Sequence, residues 1–260
     1  MDWTRTALTA LLRERGIHTK KHLGQNFLLD RNFLDAIVRW AEIGPQDGVI
    51  EIGSGAGNLT ERLADKAGHV WAFEIDPEMH ELSVELLGAR ENVTLVNLDG
   101  AEFADHIDPG IYKTLKIVSN LPYSDYHRIL LRLLGTKLDI ERYVLMLQKE
   151  AYERLRCGPG DGHYGPLAVI VGGLCKAKFL RRAGPKLFWP EPHVDSCLFE
   201  LRRTKIVDVA GAERALRELF AHRRKMLSAV WKRITGKSID SRERVEDLPP
   251  GRLLELAAQL

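Results

Sequence analysis

Apolar residues recur at helical spacing in the first part of the chain, residues 1–43. Thr4 is an N-cap residue type and predicts the start of a first helix, which Gly16 ends. Asp30 predicts the start of a second helix, whose apolar residues fall on one face. The segment Lys20–Asp30 lies between them, has no clear period and predicts a loop.

After this extension, short β-rich runs alternate with helical patterns, which predicts parallel strands joined by crossover helices. The fold class is therefore α/β, a doubly wound Rossmann-like sheet that binds ligands beyond the carboxyl ends of its strands. The predicted strands are Val49–Ile52, Val70–Ile75, Val93–Leu98, Leu115–Ser119 and Tyr143–Leu147. The predicted helices are Asn58–Ala67, Pro77–Leu87, Asp125–Leu134 and Lys149–Arg156.

The last third of the chain changes pattern twice. Pro166–Leu180 predicts a helix followed by a strand, Pro185–Pro192 a proline-rich loop, and Ser196–Arg202 a final strand. Everything after these is helical in pattern. We therefore predict one domain over residues 1–204 and a small helical domain over 205–260.

Composition excludes several classes of protein. The 260 residues are 45% hydrophobic and 28% charged, which are ordinary globular values. The three cysteines are widely spaced without a Cys-x-x-Cys motif, so we expect neither a disulfide scaffold nor a metal site. No apolar run approaches the roughly 18 residues of a membrane helix, and Arg13-Glu14-Arg15 lies where a signal peptide needs apolar residues. We expect a cytoplasmic protein that does not enter a membrane.

The formal net charge of +2 hides a strong separation of charge. Residues 74–105 carry nine acidic side chains against one arginine, whereas residues 221–237 carry six basic side chains and residues 174–190 five, without acidic ones. Such separation is typical of a protein with a phosphate-facing side, although charged runs also cover ordinary solvated helix faces. The candidate RNA-binding residues are Arg223, Arg224, Lys225, Lys232 and Arg233.

Closely spaced glycines follow the first predicted strand. In Glu51-Ile52-Gly53-Ser54-Gly55-Ala56-Gly57 a tight turn lets the backbone approach a ligand without interference from a Cβ atom. The dinucleotide-binding motif requires a third glycine where this chain has Asn58, which disfavours an NAD-dependent dehydrogenase.

Acidic residues end the next two predicted strands. Glu74 lies about 20 residues past the first glycine, where a carboxylate binds ribose hydroxyls, and Asp76 before a proline is typical of a helix cap. Asp99 either accepts an adenine amino proton or caps the following helix. These acids favour a neutral or cationic nucleoside ligand over a pyrophosphate.

The fourth predicted strand ends in Asn120-Leu121-Pro122-Tyr123. Pro122 fixes its own φ and makes Leu121 extended, so the Leu121 carbonyl and the Asn120 side-chain oxygen can both point out of the sheet. Two rigid acceptors beside the ring of Tyr123 suit an exocyclic amine on a stacked base. An Asn-x-Pro sequence is also a common structural turn.

With these segments the chain resembles the ribosomal RNA small-subunit adenine dimethyltransferase family, over about residues 18 to 203. The family implies a methyltransferase that uses S-adenosylmethionine to dimethylate adenosines in small-subunit rRNA during ribosome assembly. The segments that carry the resemblance are His22-Leu23-Gly24-Gln25-Asn26-Phe27-Leu28, Glu51-Ile52-Gly53-Ser54-Gly55, Asn120-Leu121-Pro122-Tyr123, Met146-Leu147-Gln148-Lys149-Glu150 and Phe188-Trp189-Pro190-Glu191-Pro192-His193-Val194-Asp195-Ser196.

The resemblance also implies roles for individual residues. Asn120 and the Leu121 carbonyl orient the adenine amine, while Tyr123 and Phe188 sandwich the flipped base. The expected partner is small-subunit rRNA in a pre-30S-type particle, bound by a monomer without a metal ion. The implied cofactor contacts are Asn26, Leu28, Gly53, Gly55, Glu74, Asp99 and Asn120.

Two features depart from the family. Ser124-Asp125-Tyr126-His127 stands where small and aliphatic residues are usual, and we interpret Asp125 as a helix cap rather than a group that repels RNA phosphate. Trp189 is bulkier than the usual neighbour of the stacking phenylalanine. Two alternatives remain, a large-subunit rRNA adenine methyltransferase of the resistance type and a non-catalytic RNA-binding assembly factor of the same fold.

Overall fold

A computed structural model describes residues 3–110 and 112–260. The strands are β1 (Phe27–Leu28), β2 (Asp47–Ile52), β3 (His69–Glu74), β4 (Val93–Asn97), β5 (Thr114–Asn120), β6 (Ile140–Gln148), β7 (Cys175–Ala183), β8 (Phe188–Trp189) and β9 (Ser196–Arg203). The α-helices are α1 (Arg5–Glu14), α2 (Arg31–Ala41), α3 (Asn58–Ala64), α4 (Pro77–Leu87), α5 (Tyr126–Gly135), α6 (Lys149–Leu155), α7 (Pro166–Leu174), α8 (Val209–Phe220), α9 (Leu227–Thr235) and α10 (Pro250–Ala257). Short 3-10 helices lie at Lys21–Leu23, Gly100–His106, Pro185–Leu187 and Val245–Asp247.

The central sheet has the order β4-β3-β2-β5-β6-β9-β7. Strands β2 to β6 pair in parallel, and β9 runs antiparallel to β6. This arrangement confirms the predicted doubly wound α/β fold. Because β2, β3 and β5 are parallel, their carboxyl ends meet at one edge of the sheet, where the sequence places its glycine turn, Glu74 and Asn120.

Helix starts follow the predicted caps. The side chains of Thr4, Asp30 and Asp76 accept hydrogen bonds from backbone N–H groups in the first turns of α1, α2 and α4. Each bond satisfies a donor that the helix itself leaves unpaired. The apolar face of α2 then packs into the core beside the sheet, with Phe33, Leu34, Ile37 and Ala41 buried.

Two segments predicted as loops contain a short ribbon. Strand β1, inside Lys20–Asp30, pairs antiparallel with β8, inside the proline-rich loop Pro185–Pro192. The peptide bond from Trp189 to Pro190 is cis. The loop prediction was wrong at these positions because a two-residue strand is too short to show a period of its own. Its pairing joins segments about 160 residues apart in the chain.

The chain forms two compact units. The first contains the N-terminal residues up to Ile129, Leu138–Lys149 and Lys178–Arg202, and the second contains Leu130–Lys137, Glu150–Ala177 and Arg203–Leu260. The predicted helical domain, 205–260, lies within the second unit, which also takes α7 from earlier in the chain. Glycine makes this packing possible, since a Cβ at Gly173 would lie 2.4 Å from a methyl carbon of Leu254 in α10.

Residues 3–110 and 112–260 bear on the predictions about membrane helices, disulfides and metal sites. No helix there is both long and apolar enough to cross a bilayer. Cys157, Cys175 and Cys197 are free thiols. No group of three or more His, Cys, Asp or Glu side chains in those ranges is arranged to hold a metal ion.

Candidate active site

The glycine turn after β2 brings the backbone close to the N-terminal segment. Gly53 and Gly55 have φ of 73° and 57°, in the left-handed region that favours glycine. A Cβ at Gly55 would lie only 2.8 Å from a ring carbon of Phe27. The turn therefore depends on glycine both for its conformation and for its close approach to Phe27.

A cavity opens beside this turn at the carboxyl ends of β2, β3 and β5. It gathers most of the residues predicted to contact the cofactor, together with Leu121 and Pro122 of the Asn-Leu-Pro-Tyr segment. The lining residues are Leu23, Gly24, Gln25, Asn26, Phe27, Leu28, Glu51, Gly53, Ser54, Gly55, Asn58, Leu59, Glu74, Ile75, Asn120, Leu121 and Pro122.

Glu74 lies at the end of β3 and is 6% exposed. Its Oε2 accepts a hydrogen bond from the Gly55 N–H at 2.7 Å, and its Oε1 accepts one from the Asp76 N–H at 2.9 Å. Burial raises the pKa of this carboxyl above its ordinary value, against the opposing effect of these bonds. Each carboxylate oxygen can accept more than one hydrogen bond, so Glu74 retains acceptor capacity toward the cavity.

Asn120 is the last residue of β5, and the NH2 group of its side-chain amide is hydrogen-bonded. Its Nδ2 donates to the backbone carbonyl of Asn26 at 3.2 Å, while its buried Oδ1 has no hydrogen-bond partner among residues 3–110 and 112–260. A buried acceptor without a donor costs roughly 1–3 kcal/mol, which a ligand N–H can recover. Pro122 packs close to the glycine turn. A Cβ built at Gly53 would lie 3.3 Å from the proline ring. The hydrogen bond from Nδ2 therefore orients the amide.

The two predicted stacking aromatics differ in their surroundings. The hydroxyl of Tyr123 forms a 2.8 Å hydrogen bond with the Ser196 hydroxyl, and burial raises the pKa of the phenol to about 12. Phe188 is 2% exposed, packs in the core with Leu28 and is not among the cavity-lining residues. Trp189, which follows it, stacks on Phe27 with ring centroids 6.3 Å apart. Stacking of Phe188 on a base stays a prediction.

Asp99 lies outside the cavity lining and has two partners in the protein. Its Oδ1 accepts from the Ala101 N–H at 2.9 Å, and Arg128 Nη2 donates to its Oδ2 at 2.7 Å. Burial acts to raise the pKa of Asp99, but these two partners hold it below its ordinary value. Arg128 also donates from Nε to Asp125 at 2.7 Å. The structure thus shows the capping role of Asp99, and its contact with adenine stays a prediction.

Three polar residues that line the cavity had no binding role among the sequence-based predictions. Glu51 is buried and accepts a 2.6 Å hydrogen bond from the hydroxyl of Thr60, and burial raises its pKa to about 8. Ser54 Oγ is buried and has no hydrogen-bond partner among the residues that the structure describes. Asn58, which stands where the dinucleotide-binding motif requires glycine, donates to the Leu28 carbonyl. The glycine motif contains Glu51 and Ser54, but only the structure shows that both residues line the cavity.

The basic segment after α8 contains one cation that is paired within the protein and several that are exposed. Arg223 donates from Nε to Glu246 at 2.8 Å and from Nη1 to the carbonyls of Gly162 and Tyr164. This guanidinium therefore holds the second unit together locally. The other predicted RNA-binding side chains are exposed, namely Arg224, Lys225, Lys232 and Arg233.

The chain is similar in sequence to proteins described as ribosomal RNA methyltransferases. Residues 16–257 match the family described as ribosomal RNA adenine dimethylase. A ribosomal RNA small subunit methyltransferase A from Pediococcus pentosaceus is 36% identical over 254 residues, which cover 94% of this chain and 85% of the relative. A protein of the same name from Moorella thermoacetica is 37% identical, over 92% of this chain and 91% of the relative.

Solved structures agree in fold. A dimethyladenosine transferase from Plasmodium falciparum superposes with a TM-score of 0.72 at 24% identity, over 88% of this chain and 95% of that one. The 23S rRNA methyltransferase ErmE superposes with a TM-score of 0.62 at 27% identity, over 90% of this chain and 99% of that one. From the match over residues 16–257 and the sequence identity to these relatives, the chain belongs to the ribosomal RNA adenine dimethylase family.

Proposed function

We propose that this protein is an S-adenosylmethionine-dependent methyltransferase that dimethylates the exocyclic amino group of adenosines in small-subunit rRNA. The observation that carries the proposal is the buried Oδ1 of Asn120, which has no partner in the described part of the chain and lies at the edge of a cavity lined by Gly53, Gly55 and Glu74. The curated relatives support the small subunit as the substrate particle, since they are named small subunit methyltransferases. The protein acts in the cytoplasm as a monomer on a pre-30S-type particle.

The residues around the cavity fit S-adenosylmethionine. The glycine turn leaves room that a Cβ would fill, and the carboxylate of Glu74 suits a cationic nucleoside better than a phosphate. Glu74 would accept hydrogen bonds from the ribose hydroxyls. Asn26 and Leu28 would line the other side of the cofactor. S-adenosylmethionine supplies a methyl group already activated as a sulfonium.

The chain's own contribution is to hold and orient the adenine amine. Its lone pair is delocalised into the ring, so the amine is a poor nucleophile until it approaches tetrahedral geometry. Asn120 Oδ1 and the Leu121 carbonyl accept hydrogen bonds from its two N–H groups and favour that geometry, while Tyr123 stacks on the ring. The high pKa of Tyr123 keeps the phenol protonated, so its role is to position rather than to remove a proton.

The decisive test is transfer to small subunits that lack adenine methylation. Purified protein and methyl donor are incubated with such subunits, and the modified nucleotides are mapped by mass spectrometry. We expect dimethyladenosine in the small-subunit rRNA and none in large subunits treated alike. Transfer to large-subunit rRNA would instead support the resistance-type alternative, and absence of transfer with intact RNA binding would support the assembly factor.

Replacing Glu74 by alanine should raise the cofactor dissociation constant roughly tenfold or more, because a hydrogen bond to a charged group contributes about 1.5–3 kcal/mol. Calorimetric titration with S-adenosylmethionine measures the change. The matched control is Glu78→Ala, which removes the same charge from an exposed carboxylate that pairs with Lys20. Equal affinity in the Glu74 variant and the control would place ribose binding elsewhere, provided that thermal melts show both variants folded.

The exposed cations of the second unit provide a test of rRNA binding. In the double variant Arg224→Gln/Lys232→Gln, the slope of log affinity against log salt concentration should fall by about 0.7–0.9 for each lost phosphate contact. Cofactor affinity should not change, because neither residue lines the cavity.

The control for this test is Arg223→Gln, which removes a charge already paired with Glu246. We expect it to lower the melting temperature and to leave the salt slope near that of the wild type. If the double variant kept the wild-type salt slope, Arg224 and Lys232 would only solvate the surface.

A further inference from the structure

Strand β7 is an edge of the central sheet and carries basic side chains that the proposed function does not yet use. We define the β7 surface as Lys178, Phe179, Arg181 and Arg182. All four residues are exposed, and Phe179, a large apolar side chain, is 48% exposed. An exposed aromatic ring that neighbours cations in the chain is typical of sites that bind single-stranded nucleic acid.

Aromatic rings, rather than carboxylates, hold two of these cations. Lys178 Nζ lies 5.7 Å from the centroid of the Trp40 ring, and the guanidinium carbon of Arg181 lies 5.2 Å from that of Phe33. Over residues 3–110 and 112–260, no carboxylate forms an ion pair with Lys178 or Arg181. A cation held over a ring keeps its full charge, so both remain available to an anionic partner while their positions are restricted.

The β7 surface is connected to the residues that are proposed to hold the target base. Arg182 Nε donates to Asp195 at 2.9 Å. The next residue, Ser196, begins β9 and forms the hydrogen bond with the hydroxyl of Tyr123. Ser196 also pairs with Gln148 at the carboxyl end of β6, the sheet edge on which the cavity opens. One end of the β7 surface therefore lies at the site edge, and the strand leads away from it.

We propose that the β7 surface binds the single-stranded rRNA backbone next to the target adenosine, with Lys178 and Arg181 on phosphates and Phe179 stacked on an unpaired base. This inference rests on the proposed function and names a part of its substrate contact. Unpaired, exposed cations beside an aromatic ring match the chemistry of single-stranded RNA. A protein strand is a poorer occupant, because lysine and arginine on an edge strand oppose pairing with another chain.

The double variant Lys178→Gln/Arg181→Gln tests the phosphate contacts, since glutamine keeps much of each side chain and removes the charge. The probe is small ribosomal subunits that lack adenine methylation, and their binding is measured over a series of salt concentrations. We expect weaker binding and a log–log salt slope smaller by about 0.7 for each contact with a single strand. Phe179→Leu should weaken binding about fivefold or more and leave the salt slope unchanged.

The control is Lys66→Gln/Lys113→Gln, which removes two exposed charges just before β3 and β5 begin. The amino ends of those strands lie at the edge of the sheet opposite the cavity, so this variant should bind like the wild type. If the β7 double variant bound with the wild-type affinity and salt slope, the proposal would be wrong. Increased self-association of that variant, with unchanged RNA binding, would show that the charges only protect a sheet edge.

Methyl transfer by the wild type in the same preparation separates this inference from the proposed function. Absence of dimethyladenosine with the wild type would contradict the proposed function, whereas the binding measurements still decide whether β7 contacts RNA. With an active wild type, the β7 double variant should raise the KM for subunits and leave the cofactor dissociation constant unchanged. An altered cofactor constant would mean that the substitutions disturb the cavity, and it would overturn the assignment to RNA.

Discussion

Asn120→Ala is expected to lower the turnover number by on the order of 100-fold or more, by comparison with the removal of one preorganised polar group from other active sites. The reason lies in the amide itself. No described residue bonds to its buried Oδ1, and its Nδ2 is held by the Asn26 carbonyl, so the acceptor already points in a fixed direction. Alanine removes the acceptor that holds one proton of the adenine amine, and water in its place would not be preorganised.

Two measurements make the Asn120 prediction specific. Single-turnover transfer to unmethylated small subunits reports the methyl-transfer step, and calorimetry reports cofactor binding, which should weaken but remain detectable. Ser83 offers a matched control, because Ser83→Ala also removes a buried polar side chain, whose hydroxyl donates to the His80 carbonyl within α4. Near-normal turnover in Asn120→Ala would remove this residue from the mechanism.

Local chemistry explains why much of the fold could be predicted from the sequence. Thr4, Asp30 and Asp76 cap helices through bonds to residues two or three positions away, so the sequence neighbourhood contains both partners. The end of each parallel strand is likewise a local feature. Once the sheet is parallel, topology alone brings Glu74 and Asn120 to one edge.

Contacts between distant segments explain what the sequence did not predict. Arg223 looks like its neighbour Arg224 in the chain, and only the structure shows that it is paired with Glu246. Asp99 fits two roles in the sequence, and only the structure shows that Arg128, which is 29 residues away, donates to the oxygen that the helix cap does not use. The ribbon of β1 and β8 depends on the same kind of distant partner, and it is the reason that the sequence pattern indicated loops.

Glu51 provides the second large effect, which concerns stability and its dependence on pH. Burial raises the pKa of this carboxyl from about 4.5 to about 8 in the folded protein, and the neighbouring Glu74 acts in the same direction. The folded state therefore binds a proton that the unfolded chain releases above about pH 4.5. The resulting stabilisation is complete below about pH 4.5. It falls by about 1.4 kcal/mol for each pH unit between the two pKa values and is lost once the pH has risen through 8.

Glu51→Gln should remove this loss, because an amide has no proton to release and its oxygen can still accept the hydrogen bond from Thr60. Urea unfolding at pH 6 and pH 8 measures the effect. The free energy of unfolding of the wild type should fall by about 2 kcal/mol more than that of the variant between those values. Glu81→Gln, at an exposed position of α4, should follow the wild type. If Glu51→Gln did so too, Glu51 would be ionised throughout, and the cavity would hold a fixed negative charge that favours the cationic end of the cofactor directly.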